Sequence, residues 1–177
     1  PAAADTAEDD PNLPATVSAD ALPTVQINGV VWDQVVVGTR VYVTGQFTQS
    51  RPAGAAPGTN QTARSNILAF NIQTGQLITT WNASLNAQGR AIEASTDGTR
   101  IYVGGDFTSV SGTARNRIVA LDANTGAVIG NFNPNANSRV SALEFMNGNL
   151  YMGGAFTAVS NQGRGRLVAV NGTTGAL

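Results

Sequence analysis

Three related segments, each ending in a Thr-Gly pair, constrain this 177-residue chain more than any other feature of it. The middle one, Asp97–Gly126, reads DGTRIYVGGDFTSVSGTARNRIVALDANTG. Before it comes RVYVTGQFT (Arg40–Thr48), leading to SNILAFNIQTG (Ser65–Gly75). After it comes LYMGGAFT (Leu150–Thr157), leading to GRLVAVNGTTG (Gly165–Gly175). Thr74, Thr125 and Thr174 are spaced by 51 and 49 residues. Self-similarity at such a period marks units that cannot hide their apolar faces alone and must stack on their neighbours.

Within each unit the short apolar runs are rich in Val, Ile and Thr and are punctuated by glycine, which favours strands over helices. VVWDQVVV (Val30–Val37), RVYVTGQFT, NILAFNI (Asn66–Ile72) and QLITTW (Gln76–Trp81) read as four strands. RAIEAS, DGTRIYVGGDFT, RIVALDA and AVIGNF repeat the series, and RVSALEFM, NGNLYMGGAFT and RLVAVNG begin a third. The pattern predicts an all-β fold, a β-propeller with about three four-stranded blades, the last incomplete, at approximately residues 29–82, 83–133 and 134–177. Propeller rings take roughly four to eight blades, so residues 23–177 are expected to form part of a larger propeller. The remaining blades would come from further chain or from other subunits.

Most shared positions have a structural cause. Asp97-Gly98 and Asn147-Gly148 suit hairpin turns. Asn71, Asp122 and Asn171 each precede a Thr-Gly pair (Thr74-Gly75, Thr125-Gly126, Thr174-Gly175) at a distance from which a side-chain oxygen caps the turn. Gly104-Gly105 and Gly153-Gly154 allow a bend or a close backbone approach. Tyr42, Tyr102 and Tyr151, with Phe47, Phe107 and Phe156, are predicted to be buried between blades.

Residues 1–22 differ in kind. They carry five acids and no base, with abundant Ala and Pro, and read as an acidic tail that cannot order itself. Tail docking on the propeller edge or on a neighbouring molecule is the expectation. The other 155 residues hold ten arginines against six acids, and lysine, histidine and cysteine are absent. Cys/His zinc sites, Cys–His and Ser–His catalysis and Schiff-base lysines are thereby excluded, and acid–base chemistry would rest on Asp, Glu or Tyr. No cofactor and no metal is expected. A scattered basic excess argues against nucleic acid as partner, and no run reaches the length of a membrane span.

Differences between copies point to function. Phe47 to Ile67 spans 20 residues, whereas Phe107 to Ile118 and Phe156 to Leu167 span 11. The extra length lies in QSRPAGAAPGTNQTAR (Gln49–Arg64), a projecting loop that makes Arg51, Asn60 and Arg64 candidate binding residues. Asn60, Asn82 and Asn171 also head glycosylation-type triplets, a weak signal in so Asn- and Thr-rich a chain. Asp33, Glu93 and Glu144 fall within successive first strands. They either line a channel and hold a cation or polar ligand, or pair with the repeated Arg64, Arg115 and Arg164, of which Arg115 and Arg164 are otherwise structural repeat positions.

The stretch TDGTRIYVGGDFTSVSGTARNRIVALDANTGAVIGNFNPNANSRVSAL (Thr96–Leu143) is similar to the delta-60 β-propeller repeat of secreted bacterial, actinobacterial-type surface proteins. The last copy departs from that repeat at Met152, Ala155 and Asn161, and the first at Thr44 and in its longer loop. The resemblance implies an exported, extracellular or cell-envelope protein. A weaker likeness, carried by Ala120-x-Asp122-x-x-Thr125-Gly126, is to quinoprotein-like and kelch-like propellers, but Trp81 and Phe132 follow the glycine two residues later than the quinoprotein segment has its tryptophan. The leading expectation is a non-catalytic binding or assembly module for protein or glycan partners. The alternatives are a carbohydrate-active enzyme (glycosidase or lyase) built on Asp and Glu, and a structural subunit of a surface filament or lattice.

Overall fold

A computed structural model describes residues 24–177; the acidic segment 1–22 and its expected docking lie outside the described residues. Among the described residues there is no helix. Three antiparallel sheets of identical plan follow one another along the chain. Each has a first strand at one edge, a middle strand in the centre and a third strand at the other edge. These are Val30–Val37, Arg40–Gln46 and Ile67–Asn71; then Gly89–Ala94, Arg100–Gly105 and Ile118–Asp122; then Val140–Met146, Asn149–Gly154 and Leu167–Asn171. Small ladders flank them, such as Ser109–Val110 with Thr113–Ala114. The first unit's ladder is larger, because Gln26–Ile27 pairs with Gln49–Arg51 and that with Thr62–Ala63.

Strand alternation sends successive side chains to opposite faces, and the middle sheet buries both. Ile101 and Val103 join Tyr42, Ile67, Trp81 and Leu85 in one core. Tyr102 joins Phe132, Leu150, Met152 and Phe156 in the other. Neighbouring sheets lie against one another along their first strands, while their third strands do not meet in the same way. The sheets therefore fan apart from a shared inner edge.

Polar contacts lock the stack. The buried Tyr42 hydroxyl donates to the Ala123 carbonyl at 2.6 Å, and the Tyr102 hydroxyl donates to the Gly172 carbonyl at 2.8 Å. Each tyrosine thus reaches the turn of the following unit. Arg40 and Arg100 donate to the same turns, at Ala123 and Asn124 and at Thr173. Those turns are capped as expected: Asn71, Asp122 and Asn171 each accept two backbone N–H bonds at 2.8–3.0 Å.

Two expectations need correction. Gln76–Trp81 and Ala127–Phe132 are not fourth strands; each makes one isolated bridge, Phe70 with Leu77 and Leu121 with Val128. The chain then turns, with Trp81 N–H donating to Ile78 and Phe132 N–H to Ile129. The cause is the aromatic residue that ends the run. Trp81 is fully buried edge-on to Tyr42 at 5.2 Å, and its indole N–H donates to the Asp122 carbonyl. Gly126 has φ 76°, and a Cβ there would come within 3.3 Å of the Trp81 ring. Burying the ring pulls the chain off the sheet edge before a ladder can lengthen. The second correction is Tyr151, which is 40% exposed rather than buried, beside Leu167 at 70%. No sheet among the described residues covers that face.

The equivalent tyrosines should therefore respond differently to loss of the hydroxyl. Tyr102→Phe is expected to cost about 1 kcal/mol of unfolding free energy in urea, and Tyr151→Phe nothing measurable. Burial pushes the Tyr102 hydroxyl up to about 12. A raised folded value means the stability it lends is complete below the unfolded value of about 10 and is lost as pH climbs towards 12. Alkaline unfolding should accordingly be shallower in Tyr102→Phe than in the parent.

Candidate functional site

The inner edge, where the first strands meet, collects the residues with chemistry. Each first strand carries a bulge at the same place: between Val31 and Asp33, between Gly89 and Ala91, and between Val140 and Ala142. The extra residues are Trp32, Arg90 and Ser141. A bulge re-aims its side chain and ends regular pairing. One structural position is thus filled by an aromatic, a cation and a small polar residue in turn.

Around the first two lies a polar cluster. Asp106, at the end of the second unit's middle strand, accepts from Arg90 Nε at 2.8 Å, Arg139 Nε at 2.7 Å and Gln88 Nε2 at 2.9 Å. Arg117 donates to the Asp106 carbonyl. The Gln88 side-chain oxygen in turn accepts the Trp32 indole N–H at 3.1 Å, and the Arg90 guanidinium lies over the Trp32 ring, 5.8 Å from its centroid. Burial pushes the Asp106 carboxyl up, but the bonds and charges of Arg139 and Arg90 outweigh it and hold the group below its ordinary value. Gln88 and Asp106 also line an open cleft of ≈ 610 Å³ shared with Asn28, Phe47 and Asn66 of the first unit.

The three acids singled out in the sequence are close but not a ladder. Glu93 pairs with Tyr102 and Glu144 with Tyr151, so these two are equivalent; Asp33 pairs with Thr44, the register of Ala91 and Ala142. Counting back from the turn glycine misplaces it, because Gly38, Gly98 and Gly148 stand at different distances from the last paired residues Val37, Ala94 and Met146. Asp33 accepts the Gln34 and Ile92 N–H groups at 2.8 and 2.9 Å, one on each oxygen. Glu93 accepts the Ala94 N–H at 2.8 Å. Its carboxyl is raised, chiefly by burial; the Ala94 bond opposes this, and the charges of Glu144 and Asp33 add to it. Among the described residues no group of three or more His, Cys, Asp or Glu is placed to hold a metal.

The repeated arginines take carbonyls, not these acids. Arg64 donates to Ala63 and Thr79, and Arg115 to Ala114 and Gly130. Both are buried with Nε unpartnered, and burial lowers the Arg64 value. Arg164 is exposed and reaches Gly163 and Gln162. In the long loop, Arg51 is spent on Ala55 and Gln26, and Asn60 is exposed at φ 51°. The loop forms one wall of a separate cleft of ≈ 530 Å³, lined by Val25, Arg51, Pro52, Leu77 and Thr79 among others. Of the repeated glycines, Gly104 faces Val140 and Gly105 faces Gln88 O; Gly154 lies against Arg139 O, whereas Gly153 is less tightly approached.

One repeated device is absent from the sequence reading. Asn28, Asn86 and Asn137 each accept two N–H bonds, from the threonine of the Phe-Thr pair and from the residue after it, and donate to that threonine's hydroxyl, Thr48, Thr108 or Thr157. An asparagine 20, 22 and 20 residues ahead of those threonines is the signal that could have revealed it.

No family model matches the chain, and no curated protein is similar to it. Among solved structures it is similar to the computationally designed Ika4 protein, at 15% identity and a TM-score of 0.43 over 81% of this chain and 92% of that one. It is also similar to the designed Ika8 protein, at 14% identity and a TM-score of 0.40 over 84% and 61%.

Asp106 is the hinge of the cluster. Asp106→Asn should lower stability at neutral pH by about 1 kcal/mol, the modest end of the range because Arg139 is half in water. With a depressed folded value, the contribution is present above the ordinary carboxylate range and lost as pH falls through it. Urea unfolding of the two proteins should therefore converge at acid pH.

Proposed function

We propose that the three sheets are blades of a β-propeller and that the chain serves as a non-catalytic binding or assembly module. The observation that carries the first half is the fan: sheets that touch along first strands and diverge outwards have the shape of blades about an axis. The uncovered Tyr151–Leu167 face is what a further blade would bury, its turn carbonyl accepting the Tyr151 hydroxyl. Resemblance to the delta-60 repeat supports an exported, cell-surface setting.

The second half follows from how the polar groups are used. Asp33 has both oxygens on backbone N–H groups, and the buried arginines are spent on carbonyls. Catalysis by carboxylates needs oxygens free to reach substrate. The groups that remain available, on the bulges and on the Gln49–Arg64 loop, suit recognition of a protein or glycan.

One observation favours a second reading. Glu93 is raised with Glu144 and Asp33 nearby, as in a glycosidase acid with its partner. Incubating the chain with a panel of immobilised and soluble glycans and proteins separates the two. Binding without turnover, unaltered by Glu93→Gln, is expected; turnover lost in Glu93→Gln would establish the enzyme instead.

A further inference from the structure

We infer that the cluster around Trp32, Arg90 and Arg139 is a binding site for an acidic saccharide, a sugar ring bearing a carboxylate. The inference rests on the binding-module reading and names its ligand class. Trp32 is the starting point. It stands on a bulge with nearly half its surface (49%) in water. Its N–H is already satisfied by Gln88, and a guanidinium lies over the ring. An exposed indole held on both counts is a preorganised apolar platform, and the C–H face of a sugar is the surface that stacks on such a platform while its hydroxyls stay hydrated.

The arginines select charge. Arg90 and Arg139 each spend only Nε on Asp106, and their terminal nitrogens make no hydrogen bond among the described residues. Two guanidiniums thus share the single Asp106 carboxylate, while Arg117 is taken up by the Asp106 backbone carbonyl. The excess is positive, and the unspent N–H pairs have the planar spacing that a carboxylate accepts in bidentate fashion. Asp106 itself holds two of these forks in place. Gln88, at the edge of the open cleft, keeps one amide N–H and one oxygen lone pair beyond its bonds to Asp106 and Trp32 and can offer them to a hydroxyl. None of the equivalent positions in the third unit rebuilds the group: Ser141 replaces the aromatic or cation and Ala155 replaces Asp106. The fold does not require this combination.

The probe is trigalacturonate, with galactotriose as its neutral counterpart and a short oligoglutamate as a charged peptide. Calorimetry on the full 177-residue chain measures affinity. Emission reports location, since Trp81 is fully buried and Trp32 is the other tryptophan. Trigalacturonate should shift Trp32 emission and bind at least about tenfold more tightly than galactotriose or oligoglutamate, weakening with added salt. Trp32→Ala and Arg139→Gln should each reduce that affinity at least about tenfold while the chain remains folded by circular dichroism at the assay temperature. Equal binding of the neutral sugar or of oligoglutamate would overturn the inference, as would full affinity in either variant or no binding of trigalacturonate. If trigalacturonate fails while the chain still captures another glycan or a protein, the acidic-saccharide site falls and the binding module stands. If nothing on the panel binds, both fall.

Discussion

Face-to-face burial between sheets is the interaction on which everything else in this chain depends. A three-stranded sheet with apolar side chains on both faces has no stable existence alone in water. The middle unit solves this by placing Ile101 and Val103 against one neighbour and Tyr102 against the other. Burial is non-directional, so a second device must fix how far each sheet slides. The tyrosine hydroxyls do this. Each must find an acceptor once buried, and the acceptor is a carbonyl in the next unit's capped turn. The cap, by holding the turn, aims the carbonyl. Tyr151 shows the dependence by contrast, because its unit has the cap, the strand and the ring, yet with no sheet among the described residues to meet it the ring is 40% exposed.

What was legible in the sequence is what is local and repeated. The Thr-Gly turns are written within a few residues of Asp122 and its counterparts, and the middle strands within a handful more. The missing fourth strands show where local reading fails. QLITTW has good strand residues, but Trp81 gains more by turning inward onto Tyr42 and Gly126 than by extending a ladder on an outer edge. That preference belongs to the next unit as much as to this one. The asparagine–threonine link escaped for the same reason, since its halves lie about twenty residues apart and neither is unusual alone. Asp33 was placed on a ladder by counting from glycine, whereas register is set by pairing and bulges.

The candidate site was the least legible part. Arg64 looked available and is not; like Arg115, it is buried against a carbonyl of the segment that replaces the fourth strand. Arg90, Arg139 and Asp106 drew no notice because no motif joins them. They meet only because the first strands of adjacent sheets share an edge, which brings residues 33 positions apart within 2.7 Å.

The bulge gives this edge its use. A repeat protein must keep the positions that hold its sheets together and has few places where side chains can vary freely. A bulged residue is one of them, since it is unpaired in the ladder and its side chain is turned away from regular packing. Trp32, Arg90 and Ser141 occupy that place in succession, and changing one for another leaves Tyr42, Tyr102 and their carbonyl acceptors untouched. Adjacent bulges also lie close enough to act together, as the guanidinium of Arg90 over the ring of Trp32 shows. The stacking that satisfies the sheets therefore creates, at no cost to their cores, a row of side chains whose chemistry is free to be set by whatever the edge must recognise.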